Sequence, residues 1–109
     1  MLWIIRIIIK IMNMKRAMPP VHPGSIIRED ILNELEMSIT DTAKALQVSR
    51  KLVSEIVNEH ANITAEMAVR LHQVFGIPAE FWLDLQKDYD IWQVESSGKI
   101  RLSKMKQTG

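Results

Sequence analysis

The chain has 109 residues, 47% hydrophobic and 25% charged, with no Cys. This is one helical-sized domain with ends, and it excludes a disulfide framework, a Cys-based zinc site and a thiol nucleophile. The net charge of +1 hides a split: residues 1–19 and 96–109 carry +4 each, and the middle sets all 13 acids against six bases.

Met1 to Asn13 is nearly all apolar, interrupted by Arg6 and Lys10. It is shorter than the roughly 20 residues a membrane span needs, and its charges do not fit a signal peptide. Three readings fit: an amphipathic membrane-surface helix, an extra strand, or a stretch upstream of a true start at Met14. The late start is preferred, because nothing downstream needs the segment. Residues 1–21 are therefore set apart as an N-terminal extension.

Pro19, Pro20 and Pro23 keep the next stretch extended. His22-Pro23-Gly24-Ser25 then leads into a helix expected from Ser25 to Glu36. Ile26, Ile27, Ile31, Leu32 and Leu35 recur near helical spacing, and Glu29 and Asp30 lie near its positive end. His22 has no second ligand at a metal spacing and reads as a structural hydrogen-bonder.

Thr40 is expected to cap a short second helix from Asp41 to about Leu46. Gln47 must make the following turn, which commonly needs a positive φ and carries about 1 kcal/mol of strain without Gly. Ser49 caps a third helix to about Asn58. Its inner face is Val53 and Ile56; its open face is Arg50, Lys51, Ser54, Glu55 and Asn58. Ala43 is small where the two helices cross. This is a helix-turn-helix pattern, a device for placing a helix in the DNA major groove. The DNA-binding candidates are Thr40, Lys44, Ser49, Arg50, Lys51, Ser54, Glu55 and Asn58. Arg or Lys suits guanine, Asn suits adenine, and Ser suits phosphate. A solvated surface face is the plainer reading, and Glu55 counts against DNA, although a Glu can accept from cytosine. An acidic body must concentrate its positive charge locally to bind DNA, and it suits a basic protein partner.

Thr64 is expected to cap a fourth helix, whose apolar stripe is Met67, Ala68, Leu71, Val74 and Phe75, with Gly76 as its stop. Pro78 is expected as the first residue of a fifth helix. On it, Phe81, Trp82, Leu85, Tyr89 and Trp92 recur at three- and four-residue steps. Some must close the core against the first helix, and core packing alone is the alternative. But one small domain cannot turn four rings inward, so the set is assigned to a dimer or partner interface. Residues 93–109 form a basic tail, with a brief strand at Ile100 to Leu102 as the alternative to disorder.

From His22 to Trp92 the chain resembles the HigA antitoxins, also described as VapI-like, within the Xre/Cro group. The resemblance is carried by His22-Pro23-Gly24, Ser38-Ile39-Thr40, Ala43, Leu46, Val48-Ser49-Arg50, Val53-Ser54, Ile63-Thr64-Ala65-Glu66-Met67-Ala68, Arg70-Leu71, Glu80-Phe81-Trp82-Leu83, Leu85-Gln86 and Tyr89-Asp90-Ile91-Trp92. It implies an all-α fold: a five-helix, lambda repressor-like helix-turn-helix domain over residues 22–92, with flexible N- and C-terminal extensions. It implies a homodimer that binds a palindromic operator and represses its own operon; a cytoplasmic location is expected, which the lack of Cys fits. It also implies a HigB/RelE-like toxin, an mRNA-cleaving ribonuclease, as partner. Ser25, Gln47 and Asn58-Glu59-His60 depart from the family's usual residues. The alternatives are a stand-alone or phage-type regulator and, in another class, a membrane-attached interaction module. No enzyme is expected: His-Glu-x-x-His is absent, and His22, His60 and His72 are scattered. No catalytic residue, cofactor or metal is assigned.

Overall fold

The computed structural model describes residues 2–17 and 19–105, and among them there are six helices and no strand. Helix α1 is Leu2–Ala17. Pro23–Ile26 opens a second helix that continues as a π-helix over Ile27–Asn33; together these are α2. Then follow α3, Ile39–Leu46, and α4, Arg50–Val57. Last come α5, Ala65–Phe75, and α6, Ala79–Ser97. Five helices were expected; the sixth is α1.

The π-helical winding of α2 follows from its apolar spacing. Ile26, Ile27, Ile31 and Leu32 are all buried. In an α-helix, at about 100° per residue, they would spread over roughly 240°. They form two pairs five residues apart, and i→i+5 bonding stacks such pairs on one side. The helix stops at Glu36, whose φ is 54°, and the Met37 N–H closes the end by donating to the Leu32 carbonyl at 2.8 Å.

One core joins the helices. Ile31, Ala68, Leu71, Ile77 and Trp82 have no exposed surface, and Ala43, Leu46, Val53, Ile56 and Leu85 are nearly as enclosed. Helices α3 and α4 pack together, α5 packs on both α3 and α6, and α2 packs on α4 and α6.

The N-terminal segment is helical and in contact with this core. Ile7 is buried, and Trp3 meets Phe75 edge-on with ring centroids 6.4 Å apart. Ile4 lies over Gly76. Arg6 approaches Glu34 at 3.6 Å, and Lys10 donates to Asp30 at 2.8 Å. Part of the basic N-terminal end is thus spent on the acidic middle of the same chain. Ile5, Ile9 and Met12 stay exposed. No helix among the described residues is long and apolar enough to cross a membrane.

At the other end, α6 runs to Ser97 and stops at Gly98, whose φ is 66°. It therefore passes the boundary expected at residue 92. The described residues beyond it have no regular structure, and Ile100, Leu102 and Met105 are exposed. Lys106 lies outside the described residues.

Candidate nucleic-acid interface

The pair α3–α4 is built by caps and a left-handed turn. Ser38, not Thr40, caps α3. Its hydroxyl accepts from the Asp41 N–H at 2.9 Å, and the Asp41 carboxylate accepts from the Ser38 N–H at 3.2 Å. This reciprocal box satisfies two end donors, which a cap at Thr40 would not. These bonds hold the Asp41 carboxyl below the usual carboxylate range. Thr40 falls inside the first turn, half-buried, and Lys44 follows one turn on, exposed.

Gln47 ends α3 with φ 57° and ψ 47°, so the positive φ expected there is present. Arg70 of α5 supports this turn from outside. Its guanidinium donates to the Leu46 carbonyl at 2.9 Å and the Gln47 carbonyl at 3.3 Å, and it pairs with Glu66 at 3.0 Å. Ser49 then caps α4 as expected, accepting from the Leu52 N–H at 3.0 Å.

The far end of α4 is held by α2. The His22 ring caps α2 through Nδ1, which accepts from the Gly24 N–H at 2.9 Å. A Cβ on Gly24 would stand 1.8 Å from the Ile56 carbonyl oxygen, so glycine lets α2 press directly on the end of α4. Arg28 donates to the Val57 carbonyl. These contacts explain the His-Pro-Gly sequence: a capping ring, a proline in the first turn and a residue without a side chain. His22 Nε2 is enclosed beside Asn62 and Ala61 without hydrogen-bond geometry to either. Burial pushes the imidazole below its ordinary value, against opposing influences from Glu59, Asn62, Asp90 and Ala61.

Val53, Ile56 and Val57 face the core, so the outward line of α4, about 100° per residue, is Lys51, Glu55 and Asn58. Arg50 and Ser54 lie toward one flank, and Arg50 is exposed. Lys51 sits 3.9 Å from Glu55. Asn58 donates its amide to the Ser54 carbonyl at 2.9 Å and the Ser54 hydroxyl at 3.4 Å. Its N–H groups are thus engaged within the helix, which sequence reasoning did not anticipate.

The aromatic set on α6 divides. Trp82 and Leu85 are enclosed in the core of one chain, so they do not present to a partner. They turn inward because they lie on the side of α6 that packs on α5 and α2. Phe81 is half-buried. Tyr89 meets His22 edge-on at 5.1 Å and lies tilted against Trp92 at 6.3 Å. Trp92 is partly exposed, with Ile91 and Val94 exposed beside it. Helix α6 begins after Pro78, which occupies the capping position rather than the first turn.

Sequence reasoning gave Gln86 a place in the family resemblance but no role. Buried on α6, it accepts from the Ile63 N–H at 2.8 Å and donates to Asn62 at 3.2 Å and Asp90 at 2.9 Å. It thereby pins the α4–α5 loop. Ser38 could have been found from the Ser38-x-x-Asp41 spacing, whereas Gln86 has no local signal.

A compact bundle with a supported turn and a second helix free on its outer side defines a helix-turn-helix protein. The helix-turn-helix family model matches residues 27–82. Virulence-associated protein I of Dichelobacter nodosus is 44% identical over 81 residues, covering 74% of this chain and 75% of that one. An uncharacterized HTH-type transcriptional regulator of Haemophilus influenzae is 42% identical over 84 residues, covering 77% and 78%. The structure of the Pseudomonas aeruginosa antitoxin HigA with the higBA promoter superposes with a TM-score of 0.70 at 39% identity, covering 72% of this chain and 86% of that chain. The chain belongs to the Xre-type helix-turn-helix family, in its HigA/VapI antitoxin branch.

Proposed function

We propose that this chain is the antitoxin of a type II toxin–antitoxin pair, acting in the cytoplasm. In this reading it neutralises a HigB-like, mRNA-cleaving toxin. As a homodimer it also binds a palindromic operator and represses its own operon. The supporting observation is the outer side of α4, where Arg50, Lys51, Ser54 and Asn58 stand clear of the core. The similar antitoxin HigA of Pseudomonas aeruginosa was solved with the higBA promoter, which supports promoter binding by a chain of this fold.

One copy offers few cations there, and phosphate contacts dominate affinity. Two copies are therefore needed for tight binding. Trp92, with Ile91 and Val94, is the surface of α6 available for pairing. The acidic middle suits a basic toxin.

The test has three parts. The chain is expected to retard DNA from upstream of its own gene in a mobility-shift assay, and Arg50→Ala is expected to weaken this. It is expected to co-purify with a small basic protein encoded beside it. Trp92→Ala is expected to lower the mass in solution. Retarded DNA without a co-purifying toxin would favour a stand-alone regulator, a reading consistent with the name of the Haemophilus influenzae relative.

A further inference from the structure

We propose that Glu55 determines the operator sequence by selecting a cytosine, through its N4 amino group, in the major groove. This rests on the DNA-binding reading above and gives it a base.

The outward line of α4 carries Lys51, Glu55 and Asn58. Lys51 is 86% exposed and Glu55 41%, and they stand 3.9 Å apart. That is beyond hydrogen-bond length, so both groups keep their bonding capacity. An ionised carboxylate only accepts, and an ammonium only donates.

In the major groove, guanine N7 and O6 and thymine O4 are acceptors, and the donors are cytosine N4 and adenine N6. Glu55 is therefore repelled by guanine O6 and thymine O4, as it is by every phosphate. A carboxylate on the outermost line of this helix is tolerated in the groove only where a base amino group meets it.

Lys51 decides between the two donors. It sits one turn away, about 6 Å along the axis, within reach of the same or the next base pair. Its match is guanine O6 and N7. Guanine is the partner of cytosine, so the two side chains complement both edges of a C·G pair. An A·T pair would offer Lys51 adenine N7 and thymine O4 on two separate bases, in place of the adjacent N7 and O6 of one guanine.

Asn58 strengthens the choice. A free Asn reads adenine with two bonds, donating to N7 and accepting from N6. Here the amide is engaged by Ser54, which leaves Oδ1 as a bare acceptor. The outward line thus runs from a donor at its start to two acceptors at its end.

The full chain would be used to select from a randomised duplex library longer than two helical turns. Glu55→Ala and Glu55→Gln would be run in parallel after circular dichroism confirms equal helicity. The wild-type sites are expected to carry a C·G pair in each half. Glu55→Ala is expected to lower the preference for C over T there about tenfold while raising affinity for non-specific duplex. Glu55→Gln is expected to move the preference toward adenine. A Glu55→Ala motif as stringent as the wild type's at every position would overturn the role of Glu55 and leave DNA binding intact. A wild type that enriches no motif and retards no duplex would remove the DNA-binding reading, and this proposal with it.

Discussion

Arg70 reaches from α5 to the Leu46 carbonyl, 2.9 Å away, at the point where α3 ends and the chain turns toward α4. The turn itself is adverse, because Gln47 holds φ 57°. A side chain in this region costs roughly 1 kcal/mol that glycine does not incur. Gln47→Gly is therefore expected to stabilise the protein by about 0.5–1 kcal/mol. Arg70→Met, which removes the donors and keeps the bulk, is expected to cost about 1–3 kcal/mol. Urea unfolding of the two variants checks both signs.

Gln86 ties the loop after α4 to α6. Gln86→Leu keeps the volume and leaves the Ile63 N–H without its acceptor. A buried donor left unpaired costs about 1–3 kcal/mol. The variant is expected to unfold at lower urea, with faster amide exchange at Ile63. Unchanged exchange there would mean that the loop is held by other contacts.

Gly24→Ala tests the close approach of α2 to α4. The added methyl would meet the Ile56 carbonyl oxygen at 1.8 Å, a backbone atom and not the end of a flexible side chain. Overpacking of this kind costs about 3 kcal/mol. The thermal midpoint is expected to fall by more than 10 °C, at about 4–8 °C per kcal/mol for a domain of this size.

The His22 ring supplies a pH dependence. Its folded value lies below the ordinary 6.5, first because burial disfavours the charged ring. The unfolded chain therefore takes up the proton first as pH falls. The stability contribution is full above about pH 6.5 and is lost as pH drops from there toward the lowered folded value. Protonation at Nδ1 would also remove the acceptor of the Gly24 N–H. Wild-type stability is expected to decline between pH 7.5 and 5.5 more steeply than that of His22→Asn. Parallel pH curves for the two would assign the loss to other groups.

Much of this fold was legible in the sequence because its signals are local. Ser49 and Thr64 cap the helices they precede, Gly76 stops the helix before it, and Gln47 takes the left-handed turn. Each depends on backbone groups within a few residues, so spacing alone identifies it. The outer side of α4 is local in the same sense, since burying Val53 and Ile56 turns Lys51, Glu55 and Asn58 outward.

What only the tertiary structure decided lies in contacts that sequence spacing does not encode. Arg70 and Leu46 are 24 residues apart, Gln86 and Ile63 are 23, and Lys10 and Asp30 are 20. Trp82 and Trp92 share one apolar pattern, and packing on α5 and α2 buries the first while leaving the second partly in solvent. Helix α1 has an apolar run that reads equally as strand or helix, and its contacts with Phe75 and Asp30 place it on the core. Local bonding thus determines where helices start, stop and turn. Which of their side chains are enclosed depends on neighbours that arrive from elsewhere in the chain.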